Sequence, residues 1–439
     1  MPKTIQFPEH PLVNPNALDH ALANVPFYES WRAFDPGSEC PLEQRYAALP
    51  VLTKRDIRAH MPKGFVPRDR NLKAGLVSGE VEWVTTSGTT EDRSSIVWYQ
   101  PWWDASEQAA ASLHTGLDRV ITGRQREAVL TTPLCAGTVC HIGELSLEER
   151  TLGRLLFLNQ QTDPTRWLPH DMDRMIHELD QFQPDLLEAD PAYLAILCRY
   201  AREQGRALYQ PRFVSLTYEF PSRLHYRHIK PVFPRTPILS SYGSTETGHI
   251  LTECEHGRFH QNTEYCHLDF QPLTPSLGDP RVGRILVTTL GNPWVCLLRF
   301  DIGDLIRLET GACPCGRSRG LTAARILGRT RDLTFTETGR AVTVDDLDRT
   351  VGEMDALVSY QMEQTGACDY IFHYVASTGQ AEPKLVLQAG LQSIYGPGAC
   401  IIMRPEAAIP TEPSGKFRLA RTSGAWNHEA LFMTGEESR

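Results

Sequence analysis

From about residue 80 to about residue 305 the chain alternates short β-branched runs with amphipathic windows, and this alternation constrains its fold more than any other feature. The runs "EWVTTS", "AVLTTPL" and "RFVSLTY" are interleaved with "EQAAASLHTGLDRV", "DMDRMIHELDQF" and "AYLAILCRYAREQG". Strands that alternate with helices stack as an α/β layer architecture, so a large N-terminal α/β domain with layered sheets and helices is expected. The run "GRILVTTLGNPWVCLLRFDIGDLIRLE" has strands on either side of a Gly-Asn-Pro turn and predicts a hairpin on the same body. Before residue 80 the chain is rich in Pro and charge, with short helical patterns. After Gly328 the texture changes: "GRAVTVDDLDRTVGEM", "DYIFHYVAS" and "KLVLQAG" predict one helix and several strands. That is a small α+β unit of domain size. The expected division is therefore 1–327 and 328–439, with the boundary between Gly328 and Asp332.

Composition excludes several functions. With 439 residues, 41% hydrophobic and 22% charged, the chain can bury one large core or two unequal ones. A net charge of -9 and no basic run argue against a nucleic-acid binder that neutralises phosphates. No window approaches the roughly 18 apolar residues of a membrane span, and the start lacks the order of a secretory signal. A cytoplasmic location is expected. Eleven cysteines, an odd number spread over a long chain, fit buried small hydrophobes better than a disulfide framework.

The stretch "VTTSGTTEDRSS" (Val84 to Ser95) packs seven hydroxyl residues and one glycine behind an apolar run. Gly88 lets the backbone approach a ligand, and hydroxyls beside free N–H groups can hold phosphate oxygens. It is not a Walker loop, and "PSGK" near the C-terminus has Pro410 where a first glycine would stand.

Taken in order, "TTSGTT" (Thr85 to Thr90), "SYGSTETG" (Ser241 to Gly248), "RFDIGDL" (Arg299 to Leu305), "GRTRDLTFTETGRAVT" (Gly328 to Thr343) and "PTEPSGK" (Pro410 to Lys416) resemble the successive core motifs of the acyl-adenylate-forming superfamily. With "VPFYESW" and "LPVLTKRDIR" near the start, the chain is similar to the phenylacetate-CoA ligase-like branch. The resemblance implies ATP-dependent activation of a carboxylic acid, aromatic or arylacetic, as acyl-AMP with release of pyrophosphate. Transfer to a thiol follows, that of CoA or of a carrier-protein phosphopantetheine. It implies that Thr85, Thr86, Ser87, Gly88, Thr89 and Thr90 cradle phosphate, that Glu246 binds Mg2+, and that Thr245 faces the α-phosphate. Tyr242, with Gly243 beside it, would lie against adenine; Asp304 would accept the ribose hydroxyls, with Arg329 near the same sugar and Glu219 at the usual acidic position. Lys416 would be the catalytic lysine, bridging carboxylate and α-phosphate. A lysine on a small mobile C-terminal domain needs a pivot, for which Arg331 and Asp332 are the candidates.

Two departures stand out. Glu91, Asp92 and Arg93 follow the hydroxyl loop where the family usually has a glycine and soon a lysine; either Arg93 supplies the positive charge or the acidic pair points away. Tyr218 is bulkier than the family's turn there. By resemblance the acid pocket takes candidates from Cys135, Cys140, His141, Tyr193, Tyr218 and His249.

Cysteine spacing adds a separate expectation. "CPCGR" sets Cys313 and Cys315 one residue apart, and "CEHGRFH" places Cys254 and His260 on a loop. Three sulfurs and one imidazole satisfy tetrahedral zinc with no open position, which predicts a structural site. His256 rivals His260, and Cys266 is a spare thiol; some members of the branch carry such a zinc. Two other readings remain: an adenylating enzyme passing its acyl group to an acyl carrier protein or an amine, and a non-catalytic nucleotide-binding protein on the same scaffold.

Overall fold

In a computed structural model, which describes residues 15–85, 94–135, 143–377, 384–423 and 428–433, the N-terminal stretch forms four short helices: α1 (Pro15–Asn24), α2 (Leu42–Ala48), α3 (Lys54–His60) and α4 (Leu72–Ser78). The start of α3 is set by Thr53 and Asp56. Each side chain takes the other's backbone N–H, at 3.3 and 3.0 Å, a reciprocal cap of the kind that contributes ~1 kcal/mol. A two-stranded hairpin, β1 (Glu82–Thr85) and β2 (Ser95–Trp98), then leads into α5 (Gln100–Ala111).

The main sheet has twelve strands. Five of them, β3 (Glu127–Leu130), β5 (Leu155–Phe157), β6 (Leu186–Ala189), β7 (Phe213–Leu216) and β8 (Ile238–Ser244), run parallel. Parallel neighbours need crossovers, and α6 (Pro169–Phe182), α7 (Pro191–Glu203) and α8 (Arg223–Ile229) supply them. β4 (Thr151–Leu152) closes one edge antiparallel. Beyond β8 the sheet continues antiparallel through β9 (Gly248–Glu253), β10 (Phe259–Gln261), β11 (Cys266–Pro272), β12 (Val282–Thr289), β13 (Phe300–Leu308) and β14 (Thr322–Arg329). The spatial order is β11-β12-β13-β14-β10-β9-β8-β7-β6-β3-β5-β4. β12 and β13 pair antiparallel, as the Gly-Asn-Pro turn predicts.

Period-2 alternation gives the parallel half two different faces. Ala128, Leu187, Ala189, Val214 and Leu216 face α6 and α7 in one core. Leu186, Phe213 and Leu239 face the other way, against Ala111 of α5 and the segment that follows it. Glu188 shares that second face with Leu186.

After a short pair, β15 (Thr334–Phe335) and β16 (Ala341–Val342), come α9 (Val344–Val351) and a four-stranded sheet. Its strands are β17 (Leu357–Gln364), β18 (Asp369–Ala376), β19 (Cys400–Pro405) and β20 (Ala420–Thr422), in the order β19-β18-β17-β20. The run "KLVLQAG", expected to be a strand, instead opens α10 (Lys384–Tyr395). The reason lies just beyond the seven residues: Leu387, Leu391 and Tyr395 recur every four positions and bury one face. Elements from before residue 328 join this core. Leu224 of α8 is part of it, and the Arg223 N–H donates to Asp348 of α9 at 2.8 Å.

Candidate active site

Strand register assembles the first part of the site. Asp304 on β13 is paired with Arg329 at the end of β14, so their side chains project together, with Arg329 Nε 3.7 Å from Asp304 Oδ1. The Tyr242 hydroxyl, from β8, donates to Asp304 Oδ2 at 2.8 Å. Burial and then the Asp304 charge hold the Tyr242 phenol well above its ordinary pKa. For Arg329 burial opposes the charge, but Asp304, Asp332 and Glu219 outweigh it and raise its pKa. A carboxylate positioned this way keeps lone pairs for further O–H donors.

The turn between β8 and β9 supplies the second part. Gly243 is needed for close approach, since a Cβ there would lie 2.3 Å from the Gly248 carbonyl. The turn presents Thr245 and the buried Glu246 to a cavity of about 1540 Å3, which Tyr242, Asp304 and Arg329 also line. His249, next on β9, packs its ring 4.8 Å from that of Trp103, the two planes tilted by 58°. Burial pushes its imidazole down to about 4, so it is uncharged near neutral pH.

The third part comes from far along the chain. The 410–418 segment docks into the main body: Tyr193 shares its hydroxyl between the carbonyls of Thr162 and Gly415, both at 2.9 Å, and the Phe417 N–H donates to Glu219 at 2.7 Å. Gly415 has φ +85, and a Cβ there would fall 2.5 Å from Thr132 Oγ1 and 2.6 Å from the Thr162 carbonyl. Only glycine fits. Lys416 is thereby delivered into the cavity, its Nζ donating to the Tyr218 carbonyl at 3.1 Å.

Behind Lys416 stand two carboxylates, the fully buried Asp190 and the half-buried Glu219. Asp190 caps α7, its Oδ1 accepting the N–H groups of Ala192 and Tyr193 at 2.9 and 3.4 Å, while its Oδ2 is buried without a hydrogen-bond partner. Burial pushes its carboxyl up to about 7, with the Lys416 ammonium and the two N–H groups pulling it down. Burial and Asp190 together hold Glu219 well above the usual range, again opposed by Lys416. Tyr218 has φ +74, rare for a bulky residue. That conformation sends its hydroxyl to Glu188.

Several expected residues lie elsewhere. Thr86, Ser87, Gly88, Thr89 and Thr90, the following Glu91, Asp92 and Arg93, and Cys140 and His141 fall outside the described residues. Thr85 ends β1 and lines the cavity. Cys135 closes a 3-10 turn, Pro133–Cys135. Tyr193 is fully buried behind the cavity, where it clamps the 410–418 segment. Arg331 and Asp332 sit in the 3-10 turn Thr330–Asp332, holding Glu412 at 3.1 Å and Arg418 at 2.7 Å. Asp190 was missed; its sequence trace is the Asp-Pro pair that opens a helix.

No family model matches the chain. It is 28% identical over 329 residues to phenylacetate-coenzyme A ligase of Thermus thermophilus, covering 72% of this chain and 68% of the relative. The chain is similar in sequence to the phenylacetate-CoA ligase-like branch of the acyl-adenylate-forming ligases, and it shares their fold. The crystal structure of 2-hydroxyisobutyryl-CoA ligase in its postadenylation state, in complex with 2-HIB-AMP, superposes with a TM-score of 0.67 at 17% identity, covering 92% of this chain and 86% of that one. The anthranilate CoA ligase AuaEII gives 0.51 at 10% identity, over 77% and 65%.

The chain gathers a second cluster just after β9 and on β10. Cys254, His260, Cys313 and Cys315 each offer a ligand atom, all within 4.8 Å of one another. Cys254 Sγ is 3.6 Å from Cys313 Sγ, and Cys315 Sγ is 3.2 Å from His260 Nε2. His260 Nδ1 meets the Thr322 hydroxyl at 3.3 Å, which turns Nε2 toward the sulfurs. Burial, then Arg317, lowers the His260 pKa and keeps the ring neutral, as a metal ligand requires. His256 is exposed, and Cys266 spends its thiol on the Asn262 carbonyl, so neither joins the set.

Proposed function

We propose that the chain activates a carboxylic acid with ATP, releasing pyrophosphate, and passes the acyl group to the thiol of CoA. The observation that carries this reading is the docking of Lys416 into one cavity with Thr245, Glu246, Tyr242, Asp304 and Arg329. In the first step a carboxylate oxygen attacks the α-phosphorus and the bond to pyrophosphate breaks. Lys416, held by Gly415 and Tyr193, neutralises charge between the two anions. Asp304 takes the ribose hydroxyls, Tyr242 and Gly243 border the base, and Glu219 and Arg329 set the local charge. In the second step the thiol sulfur attacks the acyl carbon and AMP leaves. Since Lys416 and the phosphate-facing turn lie on separate parts of the chain, the unit 328–439 must turn about Arg331 and Asp332 to admit the thiol.

Glu246 offers the hard oxygen donor that suits Mg2+, which supplies charge neutralisation on the phosphates when bound. The Cys254, His260, Cys313 and Cys315 set suits a structural Zn2+: four soft or borderline donors, converging and with no open position. Among the described residues no helix is long and apolar enough to cross a membrane, and we place the ligase in the cytoplasm.

The test is ATP–pyrophosphate exchange over a panel of acids, followed by CoA or a phosphopantetheinylated carrier protein offered to the active acid. Acid-dependent exchange and CoA thioester formation are expected. Absence of exchange with every acid refutes adenylation; thioester formation on the carrier alone reassigns the acceptor.

A further inference from the structure

After β20 the chain returns to the main sheet. A 3-10 turn, His428–Leu431, and the two residues after it lie along the end of β11. Phe432 bridges Leu273 antiparallel, the Met433 N–H donates to the Pro272 carbonyl at 3.0 Å, and the Thr274 N–H donates to the Leu431 carbonyl at 2.9 Å. β11 is an edge strand, whose outer backbone groups can take the tail as a partner. Charge adds to the fit. Arg284 on β12, whose side chain is 3% exposed, donates to both oxygens of Glu429 at 3.1 and 2.7 Å and to Asp301 at 2.6 Å. Its guanidinium lies 4.4 Å over the Phe432 ring. A two-pronged arginine–carboxylate pair beside a cation–π contact fixes orientation as well as position.

The core that the tail completes gives it a task. Leu431 and Phe432 are buried in one cluster with Leu273 and Leu327 of the main body and with Leu333 and Phe335, which follow the proposed pivot. The tail therefore fills the seam between the two parts, where the Ala341 N–H also donates to the Leu277 carbonyl at 2.9 Å. From this seam a short path reaches Lys416. Leu333 follows Asp332, whose carboxylate accepts from Arg418 Nε at 2.7 Å, and Arg418 Nη2 donates to the Arg331 carbonyl at 2.7 Å. Arg418 is two residues from Lys416. A filled seam thus fixes the turn Thr330–Asp332, and that turn fixes the segment which carries the ammonium into the cavity. Turning of the small unit pulls Leu333 and Phe335 from Leu273 and Leu327 and exposes apolar surface, so a seated tail opposes it.

We propose that residues 428–433 form a clasp, in which Glu429, Leu431 and Phe432 are positioning residues for adenylation. Seated on Arg284 and β11, they hold Lys416 in the cavity; they leave the seam when the small unit turns to admit the thiol. This rests on the adenylating reading of the site and on the turning of the small unit.

The test uses the full chain with Phe432→Ala, which removes the buried ring, and Glu429→Lys, which sets a like charge against Arg284 from a side chain that is 59% exposed. Amide hydrogen exchange without substrate reads the clasp directly. The Gly415 and Phe417 amides, bonded to the Glu412 carbonyl and to Glu219, are expected to exchange at least about fivefold faster in both variants, while those of Leu187 and Val214 in the parallel half keep their wild-type rates. In ATP–pyrophosphate exchange kcat should fall at least about threefold with the KM for ATP within about twofold, because Tyr242 and Asp304 stay on the main sheet. Transfer from supplied acyl-adenylate to CoA should proceed at or above the wild-type rate. Glu429→Lys alone decides if Phe432→Ala fails to fold. Unaltered Gly415 and Phe417 amides, equal acceleration of all four amides, or equal loss in both half-reactions overturns the clasp. Faster Gly415 and Phe417 amides in the variants, alongside wild-type protein that shows no pyrophosphate exchange with any acid, refute adenylation and leave the clasp standing.

Discussion

Lys416 is positioned by the Tyr218 carbonyl and by the hold of Tyr193 on Gly415. Its ammonium faces Asp190 and Glu219, two carboxylates that would otherwise repel at close range in a poorly solvated site. If it acts only in adenylation, Lys416→Ala should lower pyrophosphate exchange by about 10^2–10^3, the loss typical of one transition-state donor, while transfer from supplied acyl-adenylate stays within about threefold. Equal loss in both half-reactions, measured side by side, contradicts the role. Gly415→Ala tests the docking without touching the ammonium. The added methyl meets Thr132 Oγ1 at 2.5 Å and the Thr162 carbonyl at 2.6 Å, so adenylation should fall at least tenfold. Global stability should change by less than about 1 kcal/mol, because the segment can stay undocked. A large drop in Tm with unaltered exchange would sink this account.

At the scale of elements, the Cys and His cluster ties β9 and β10 to the turn that holds Cys313 and Cys315. Cys313→Ser is expected to abolish stoichiometric zinc in the purified protein and to cost on the order of 2–5 kcal/mol in unfolding free energy, comparable to losing a structural cross-link. Metal analysis with urea titration checks it; zinc-free wild-type protein, with the variant equally stable, removes the site. Much of the architecture was legible in the sequence: the strand and helix alternation and the β12–β13 hairpin. α10 was misread because seven residues are too few to separate a buried strand from a helix. Asp190 and Glu219 were not legible as a pair beside Lys416, since packing, not sequence spacing, brings them together. For Tyr193 the resemblance pointed to the neighbourhood, and packing decides the role, a clamp on Gly415.

For the molecule as a whole, docking of the 410–418 segment is linked to protons. The ammonium of Lys416 lowers the Asp190 pKa, so Asp190 binds a proton more tightly when the lysine is withdrawn than when it is docked. Docking therefore releases a proton, and the docked form gains as pH rises through about 7, by up to about 1.4 kcal/mol for each unit by which the two pKa values differ. Pyrophosphate exchange should climb as pH rises above about 7, and Asp190→Asn should flatten that climb while keeping the α7 cap. An identical profile in the variant would show that Asp190 does not carry the linkage. The fit of Gly415 between Thr132 and Thr162 has one more outcome. A segment seated so tightly acts as a stopper, and while it is in place bulk water has one route fewer to a reactive anhydride. How much activated acid is wasted by hydrolysis, then, depends on how long that stopper stays seated before the acceptor arrives.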